Sequence, residues 1–138
     1  MADHVRDAMT EHPRTLSPDS TIVDAARAMR EEDAGMMPVV DGDKLVGVIT
    51  DRDIAIRAVA DGRDPAETHA RELMSERLVT IDPDQDLDEA MRLMAEHQVR
   101  RLPVCEEDGR LVGVLAQADV ARRAGDSRAG DTVEKISR

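Results

Sequence analysis

The sequence contains no phenylalanine, tryptophan or tyrosine among its 138 residues. Stacking platforms for nucleic-acid bases and aromatic cages for cationic ligands therefore have no side chains to build them. Positive charge is also scarce, because 19 Lys and Arg residues stand against 30 Asp and Glu residues and give a formal net charge of −11. Such a charge repels nucleic acid and anionic membranes, so we expect neither as a partner.

Cysteine and long apolar runs are scarce as well. Cys105 is the single cysteine, which excludes an internal disulfide, and its place in the apolar run LPVC favours a small buried residue over a reactive thiol. No apolar run approaches the roughly 20 residues of a membrane-spanning helix, and the charged N-terminal residues lack the pattern of a secretory signal. These features predict a cytoplasmic protein without a membrane span.

An internal repeat organises the chain. An offset of 65 residues aligns RDAMTE at residues 6–11 with RELMSE at residues 71–76. After one inserted residue the offset becomes 66, and LVGVITDRDIAIRA at residues 45–58 aligns with LVGVLAQADVARRA at residues 111–124. We therefore predict two copies of one unit, at residues 5–62 and 70–125. Residues 63–69 form the linker between them, and residues 126–138 form a polar C-terminal tail.

Each copy contains the signals of an amphipathic helix. Thr21 and Asp86 stand at helix N-cap positions, and an acidic residue follows each of them three residues later. Apolar residues then recur at helical spacing, and we expect one buried stripe in each helix, formed by Ile22, Ala25, Ala26 and Met29 and by Leu87, Ala90, Met91 and Met94.

Two apolar runs follow each of these helices. MPVV and LVGVIT are separated by DGDK, and LPVC and LVGVLA by EEDGR, so each pair is typical of a β-hairpin with a glycine-containing turn. A helix-forming stretch rich in Ala and Arg comes next in both copies. With a short strand before the first helix, each copy is predicted to be β-α-β-β-α, which is a mixed α/β fold of the α+β class.

The duplicated pattern of a hydrophobic-Pro-Val strand and a GVITDRD-like strand end before a helix resembles the CBS-domain pair, or Bateman module. The resemblance covers about residues 5–124, and the chain length is similar to that of stand-alone two-repeat proteins, including the hypoxic-response type. It implies tandem CBS repeats packed about a pseudo-twofold axis, with two clefts that hold adenosine nucleotides or S-adenosylmethionine.

Asp53 is the central candidate for ligand binding. In the first turn of a helix its carboxylate can accept hydrogen bonds from two ribose hydroxyls, and Thr50 adds a hydroxyl one turn earlier. The alternative is purely structural, because Thr-x-x-Asp is also a helix-capping signature. The resemblance implies a main cleft in which Arg101 faces phosphate, lined by Val48, Thr50, Asp53, Thr80, Val99 and Arg101. The alternative for Arg101 is a solvated side chain at the sheet edge.

A second cleft departs from the family pattern. The resemblance assigns to it Asp119, Val114, Arg100, Thr15 and the backbone near Ala34. Ala116 stands where the first copy has Thr50, and Met36 stands where the second copy has Arg101. Because one lost hydrogen bond costs about 0.5–1.5 kcal/mol, we expect this cleft to bind more weakly or to stay empty.

The resemblance implies a non-catalytic regulatory or sensor module. Its ligand would be AMP, ADP, ATP or S-adenosylmethionine, it would need no cofactor, and it would act as a homodimer on an effector protein that the sequence does not name. The candidate dimer surface is apolar and lies on the helices after the two hairpins, which carry Ile54, Ile56, Val59 and Val120. The four histidines and Cys105 show no catalytic or metal-ligating spacing, so we predict neither catalytic residues nor a metal site. The alternative is a structural or protein-interaction module with vestigial clefts.

Overall fold

Two separate units contain residues 3–127, the part of the chain that the computed structural model describes. The first-repeat unit consists of residues 14–78 and 109–111, and the second-repeat unit consists of residues 3–13, 79–108 and 112–127. Each unit therefore includes a short segment from the other sequence copy. The predicted polar tail lies outside the described residues except for its first two positions.

The described chain contains six α-helices, one π-helix and five strands. In chain order they are α1 (Val5–Ala8), β1 (Thr10–Glu11), α2 (Ile22–Glu32), β2 (Met36–Asp41), β3 (Lys44–Thr50), α3 (Asp51–Asp53), a π-helix (Ile54–Val59), α4 (Ala70–Leu73), α5 (Leu87–His97), β4 (Arg101–Cys105), β5 (Leu111–Ala116) and α6 (Gln117–Ser127). The predicted mixed α/β class is confirmed. None of the helices within residues 3–127 combines the length and apolar character that a bilayer crossing requires.

Each unit contains an antiparallel hairpin. In the first-repeat unit β2 pairs with β3, and Met36 lies opposite Thr50. In the second-repeat unit the strand order is β1-β5-β4, with Thr10 opposite Val114. The predicted short first strands are reduced to single parallel bridges, between Leu16 and Val39 and between Ile81 and Val104.

The two long amphipathic helices begin at the predicted residues. The Thr21 side chain accepts a hydrogen bond from the Asp24 backbone N–H at 3.1 Å, and the Asp86 side chain accepts one from Glu89 at 2.8 Å. Both helices end at a residue with left-handed backbone, Asp33 in α2 and Gln98 in α5. Local capping signals therefore determine both ends of these helices.

The core of each unit is aliphatic. The α2 stripe that packs into the first core contains Ala28 instead of the predicted Ala26, which is exposed. Ala28 and Ala25 lie three residues apart on one helix face, whereas Ala26 falls on the solvent side of that face. In α5 the predicted stripe is confirmed, with Met91 half-buried at its margin.

Cys105 lies in the core at the end of β4, as its surroundings in the sequence predict. Burial, and to a lesser degree the nearby Asp108 carboxylate, raises the pKa of its thiol to about 11. Almost none of the thiol is therefore ionised near neutral pH, which fits a packing role.

Two short segments pack in the unit of the other sequence copy, and we call them the exchanged segments. They are residues 3–13 in the second-repeat unit and residues 70–78 in the first-repeat unit. Residues 3–13 include the start of the first copy but pack in the second-repeat unit, where the α1 residue Val5 is fully buried. Backbone hydrogen bonds hold this segment, from Val5 N–H to the Gln85 carbonyl at 2.8 Å and from Leu87 N–H to Asp3 at 3.2 Å. In the first-repeat unit the α4 residue Ala70 donates in the same way to the Ser20 carbonyl at 2.7 Å.

Glycine allows these segments to approach the hairpins closely. The backbones of Val48 and Ser75 exchange two hydrogen bonds, at 3.0 and 2.8 Å. A Cβ placed on the adjacent Gly47 would lie 2.6 Å from the Met74 sulfur, and a Cβ on Gly113 would lie 2.6 Å from the Met9 sulfur. Only glycine leaves room for a methionine at these two equivalent positions.

The helices that follow the two hairpins differ. In the first-repeat unit the chain continues from α3 into the π-helix, with a hydrogen bond from Ala60 N–H to the Ala55 carbonyl at 3.0 Å. In the second-repeat unit α6 is a regular α-helix. The sequence predicts a helix in both places, but it does not predict the change to π-helical winding. π-Helices are uncommon, and many of those known lie at functional sites.

We predict that Gly113→Ala destabilises the protein more than Gly47→Ala does. The added Cβ at residue 113 would lie 2.9 Å from the backbone carbonyl oxygen of Thr10, whereas at residue 47 the nearest backbone oxygen, that of Ser75, is 3.1 Å away. Overpacking of this kind costs about 1–3 kcal/mol. Urea unfolding of both variants measures the difference. Equal stabilities would show that β1 moves away from an added Cβ as easily as the segment at Ser75 does.

Candidate functional site

Thr50 and Asp53 form a complete capping box where β3 passes into α3. The backbone N–H and the hydroxyl of Thr50 both donate to Oδ2 of Asp53, each at 2.9 Å. The backbone N–H of Asp53 donates back to the Thr50 hydroxyl oxygen at 3.1 Å. The hydrogen bonds of the capping interpretation are therefore present, and they fix the orientation of the half-buried carboxylate.

The second oxygen of this carboxylate is available. Within residues 3–127, Oδ1 of Asp53 receives no hydrogen bond and forms no ion pair. A carboxylate with one oxygen held in place and the other unsatisfied is a preorganised acceptor for hydroxyl or N–H donors. The ligand-binding interpretation of Asp53 is thus compatible with the cap.

The residues before β2 lie beside the end of β3, where the Thr50–Asp53 capping box begins. Asp51 donates its backbone N–H to the Gly35 carbonyl at 2.9 Å, next to the pair formed by Met36 and Thr50. A Cβ on Gly35 would lie 3.0 Å from the Asp51 carboxylate, so glycine leaves room for that side chain. Val48, two residues before Thr50, is half-buried on the same strand.

The second-repeat unit carries the same backbone with different side chains. Gln117 donates its backbone N–H to the Arg100 carbonyl at 2.8 Å, as Asp51 does to Gly35. Ala116 lacks the hydroxyl of Thr50, and Asp119 instead forms an ion pair with Arg122, whose Nη2 contacts Oδ1. This carboxylate has an internal cationic partner where Asp53 has none.

The residues predicted for the main cleft are divided between the two units. Val48, Thr50 and Asp53 are brought together in the first-repeat unit, and Thr80, Val99 and Arg101 lie in the second-repeat unit. Of the second-cleft residues, Thr15 and Ala34 belong to the first-repeat unit, and Arg100, Val114 and Asp119 belong to the second-repeat unit. That both sets serve common ligands stays a prediction.

The second-unit residues of the predicted main cleft occupy two chain segments. Thr80 is half-buried and precedes Ile81, which forms the parallel bridge to Val104. Val99 is exposed directly after α5, and Arg101 begins β4 half-buried. Within residues 3–127 the Arg101 guanidinium has no carboxylate partner, which leaves it available to an anion.

No group of three or more His, Cys, Asp or Glu side chains within the described part of the chain has the arrangement of a metal site.

The fold agrees with comparisons to known proteins. The model of the CBS domain matches twice, at residues 5–59 and 70–126. The chain therefore belongs to the CBS-domain family and carries a tandem pair of these domains. The predicted boundaries of the two copies stay a prediction, because the compact units cut across them.

Individual relatives place the chain among short two-repeat proteins. It is 42% identical over 134 residues to the CBS domain-containing protein YhcV of Bacillus subtilis, covering 96% of this chain and 94% of that protein. It is 42% identical over 118 residues to Hypoxic response protein 1 of Mycobacterium tuberculosis, covering 85% and 82%. The resemblance to the hypoxic-response type is confirmed.

Solved structures give the same family. A crystal structure of Hypoxic Response Protein I with two coordinated zinc ions has a TM-score of 0.80 and 40% identity, covering 87% of this chain and 98% of that one. A crystal structure of CBSX2 in complex with AMP has a TM-score of 0.79 and 27% identity, covering 91% and 98%.

Two features of these junctions escape the sequence analysis. The ion pair of Asp119 could have been found from the spacing, because Arg122 follows it by three residues on a predicted helix. The availability of Asp53 Oδ1 could not have been found from the spacing, because it depends on which groups the neighbouring arginine side chains contact. Arg57, four residues after Asp53, donates to the Leu73 carbonyl at 2.8 Å instead.

We predict that Thr50→Val lowers the unfolding free energy by about 0.5–2 kcal/mol without any ligand, because valine keeps the shape but removes the cap. Thr80→Val is the matched control, since Thr80 is also half-buried and its side chain forms no hydrogen bond within residues 3–127. Urea unfolding of both variants measures the difference. Equal losses would mean that the capping hydrogen bonds contribute nothing.

Proposed function

We propose that this CBS-domain pair is a non-catalytic regulatory or sensor module whose ligand is an adenosine nucleotide: AMP, ADP or ATP. The observation that carries the proposal is the Asp53 carboxylate. Thr50 holds one oxygen through two hydrogen bonds of 2.9 Å, and the other oxygen has no partner within the described residues. Two neighbouring ribose hydroxyls supply the donors that such a carboxylate lacks.

The ligand class follows from composition and family. The chain has no aromatic side chain, so a purine would have to lie against aliphatic groups such as Val48 and Val99. The related CBSX2 structure holds AMP, which supports an adenine ligand for this chain as well. S-adenosylmethionine carries the same ribose and is the alternative ligand.

Phosphate recognition is assigned to Arg101 by the same resemblance. Its guanidinium has no carboxylate partner within residues 3–127, so it is available to an anion. A local cation matters here because the net charge of −11 repels polyanions in general. We propose that Thr80, Val99 and Arg101 complete the ligand site of Asp53.

The second site is proposed to be the weaker one. Its residues are Asp119, Val114, Arg100, Thr15 and the backbone at Ala34, and it lacks both the Thr50 hydroxyl and the Arg101 charge. A structural or protein-interaction module with empty clefts remains the alternative function. The cytoplasmic location and an effector protein stay predictions.

The nucleotide proposal predicts that wild type binds AMP and that Asp53→Asn weakens the tighter site. The amide keeps an acceptor for Thr50 but loses the charge, and a charge-assisted hydrogen bond to ribose is worth roughly ten- to a hundred-fold in affinity. Isothermal titration calorimetry with AMP, and in parallel with S-adenosylmethionine, measures this loss.

Asp24→Asn is the matched control for this titration. Asp24 occupies the same box position after Thr21, and its Oδ2 accepts the Thr21 N–H at 3.1 Å. We expect its AMP affinity to equal that of wild type. Equal affinities of wild type and Asp53→Asn would reduce Asp53 to a capping residue, and the absence of AMP binding to wild type would favour the structural module.

We also propose that the chain forms a homodimer through the helix that follows β3. Ile56 and Val59 in the π-helix are exposed by 47% and 69%, and both are large apolar side chains. Ile54 and Val120 do not belong to this surface, because Ile54 packs against the core and Val120 is buried in its own unit. A second copy would cover an aliphatic surface of this kind.

The dimer proposal predicts that Val59→Glu shifts the protein toward monomers, because the charge would be buried in an apolar contact. Light scattering after gel filtration should give about twice the chain mass of 15.2 kDa for wild type and a lower value for the variant. Ala26→Glu, on the exposed side of α2, should leave the mass unchanged. A wild-type mass near that of one chain would refute the dimer.

A further inference from the structure

The two repeats differ in the residue that stands three positions after the helix carboxylate. In the second repeat this residue is Arg122, and its guanidinium forms an ion pair with Oδ1 of Asp119. In the first repeat the equivalent residue is Ile56, which has no charge to offer Asp53. The two carboxylates therefore face opposite conditions within their own units.

The next arginine on each helix does not change this difference. Arg57 stands four residues after Asp53, but it donates to the Leu73 carbonyl at 2.8 Å. The equivalent Arg123 donates to Oδ2 of Asp3 at 2.8 Å. Both arginines donate to the exchanged segments, Arg57 to Leu73 and Arg123 to Asp3. The difference between Asp53 and Asp119 therefore lies in the residue three positions later, which is Ile56 in one repeat and Arg122 in the other.

From this difference we infer that Arg122 is a specificity-determining residue that weakens ribose binding in the second repeat by occupying Oδ1 of Asp119. The inference rests on the proposed function, because it treats Asp53 and Asp119 as equivalent acceptors. The Arg122 guanidinium and a ribose hydroxyl are both hydrogen-bond donors, and they compete for the same carboxylate. A nucleotide at the second site must displace Arg122 before Oδ1 of Asp119 can accept a hydroxyl, so only Oδ2 is open to ribose while the ion pair is intact.

The size of this effect follows from exposure. The Asp119 side chain is 20% exposed, but the Arg122 side chain is 69% exposed and in contact with water. An ion pair of this kind shifts an equilibrium by up to roughly five-fold. Arg122 therefore weakens the second site by roughly two- to five-fold, in addition to the loss of the hydroxyl at Ala116.

The test lowers the affinity of the first site so that binding at the second site can be measured. Asp53→Asn and the double variant Asp53→Asn/Arg122→Ile are titrated with AMP as full-length chains in the calorimeter. We expect the double variant to bind AMP roughly two- to five-fold more tightly. The gain should shrink with 2′-deoxy-AMP, because that probe lacks one of the hydroxyls with which Arg122 competes.

A reciprocal change tests the first site. Ile56→Arg places a guanidinium three residues after Asp53 and should weaken AMP binding to the tighter site by roughly two- to five-fold. Ile56→Gln removes the same apolar side chain from the proposed dimer surface without adding charge, so the affinity of Ile56→Arg is compared with that of Ile56→Gln, and the difference measures the effect of the guanidinium. Circular dichroism verifies folding, and Arg122→Gln replaces Arg122→Ile if the isoleucine variant does not fold.

A third arginine provides the matched control. Arg92 pairs with Glu89 at the same spacing of three residues in α5 and also with Glu96, so Arg92→Ile in the Asp53→Asn background removes exposed ion pairs elsewhere on the protein. An equal gain from Arg92→Ile, or no gain from Arg122→Ile, would overturn the inference while leaving the proposed function in place. If wild type binds no AMP, the proposed function and the inference fail together.

Discussion

The close approach of a short segment to each hairpin is the constraint on which the rest of the structure depends. At Gly47 and Gly113 the missing side chain lets Met74 and Met9 lie directly against the strand. The neighbouring backbones then pair, Ser75 with Val48 and Thr10 with Val114. The paired strand in the first-repeat unit ends at Thr50, so the position of the Asp53 carboxylate depends on this contact.

Most elements could be predicted because their signals are local. The caps at Thr21 and Asp86 and the glycine turns between strands lie within a few residues of the structures that they determine. The exchange of segments could not be predicted in the same way, because Val5 is equally apolar whichever core it enters. In the π-helix Ala58 packs into the first core and Arg57 donates to the Leu73 carbonyl. These contacts are made with residues distant in sequence, so no short pattern encodes them.

The candidate site shows a similar limit. The repeat alignment found Thr50, Asp53 and their counterparts, and it found that Ala116 lacks a hydroxyl. It could not show that the hydroxyl of Thr50 is already used by the cap, because a hydrogen-bond direction is not a property of a pattern. Functional asymmetry between repeats thus arises from side-chain partners as much as from the residues that a family motif names.

The exchanged segments also set an order for folding. Residues 14–78 carry nearly all of the first-repeat unit, so a ribosome releases that unit's parts early and in sequence. Residues 3–13 emerge first, yet their strand partner Val114 is made close to the end of the described chain. The pairing of β1 with β5 closes a loop that spans most of the described chain, so the second-repeat unit cannot be complete before β5 has been made.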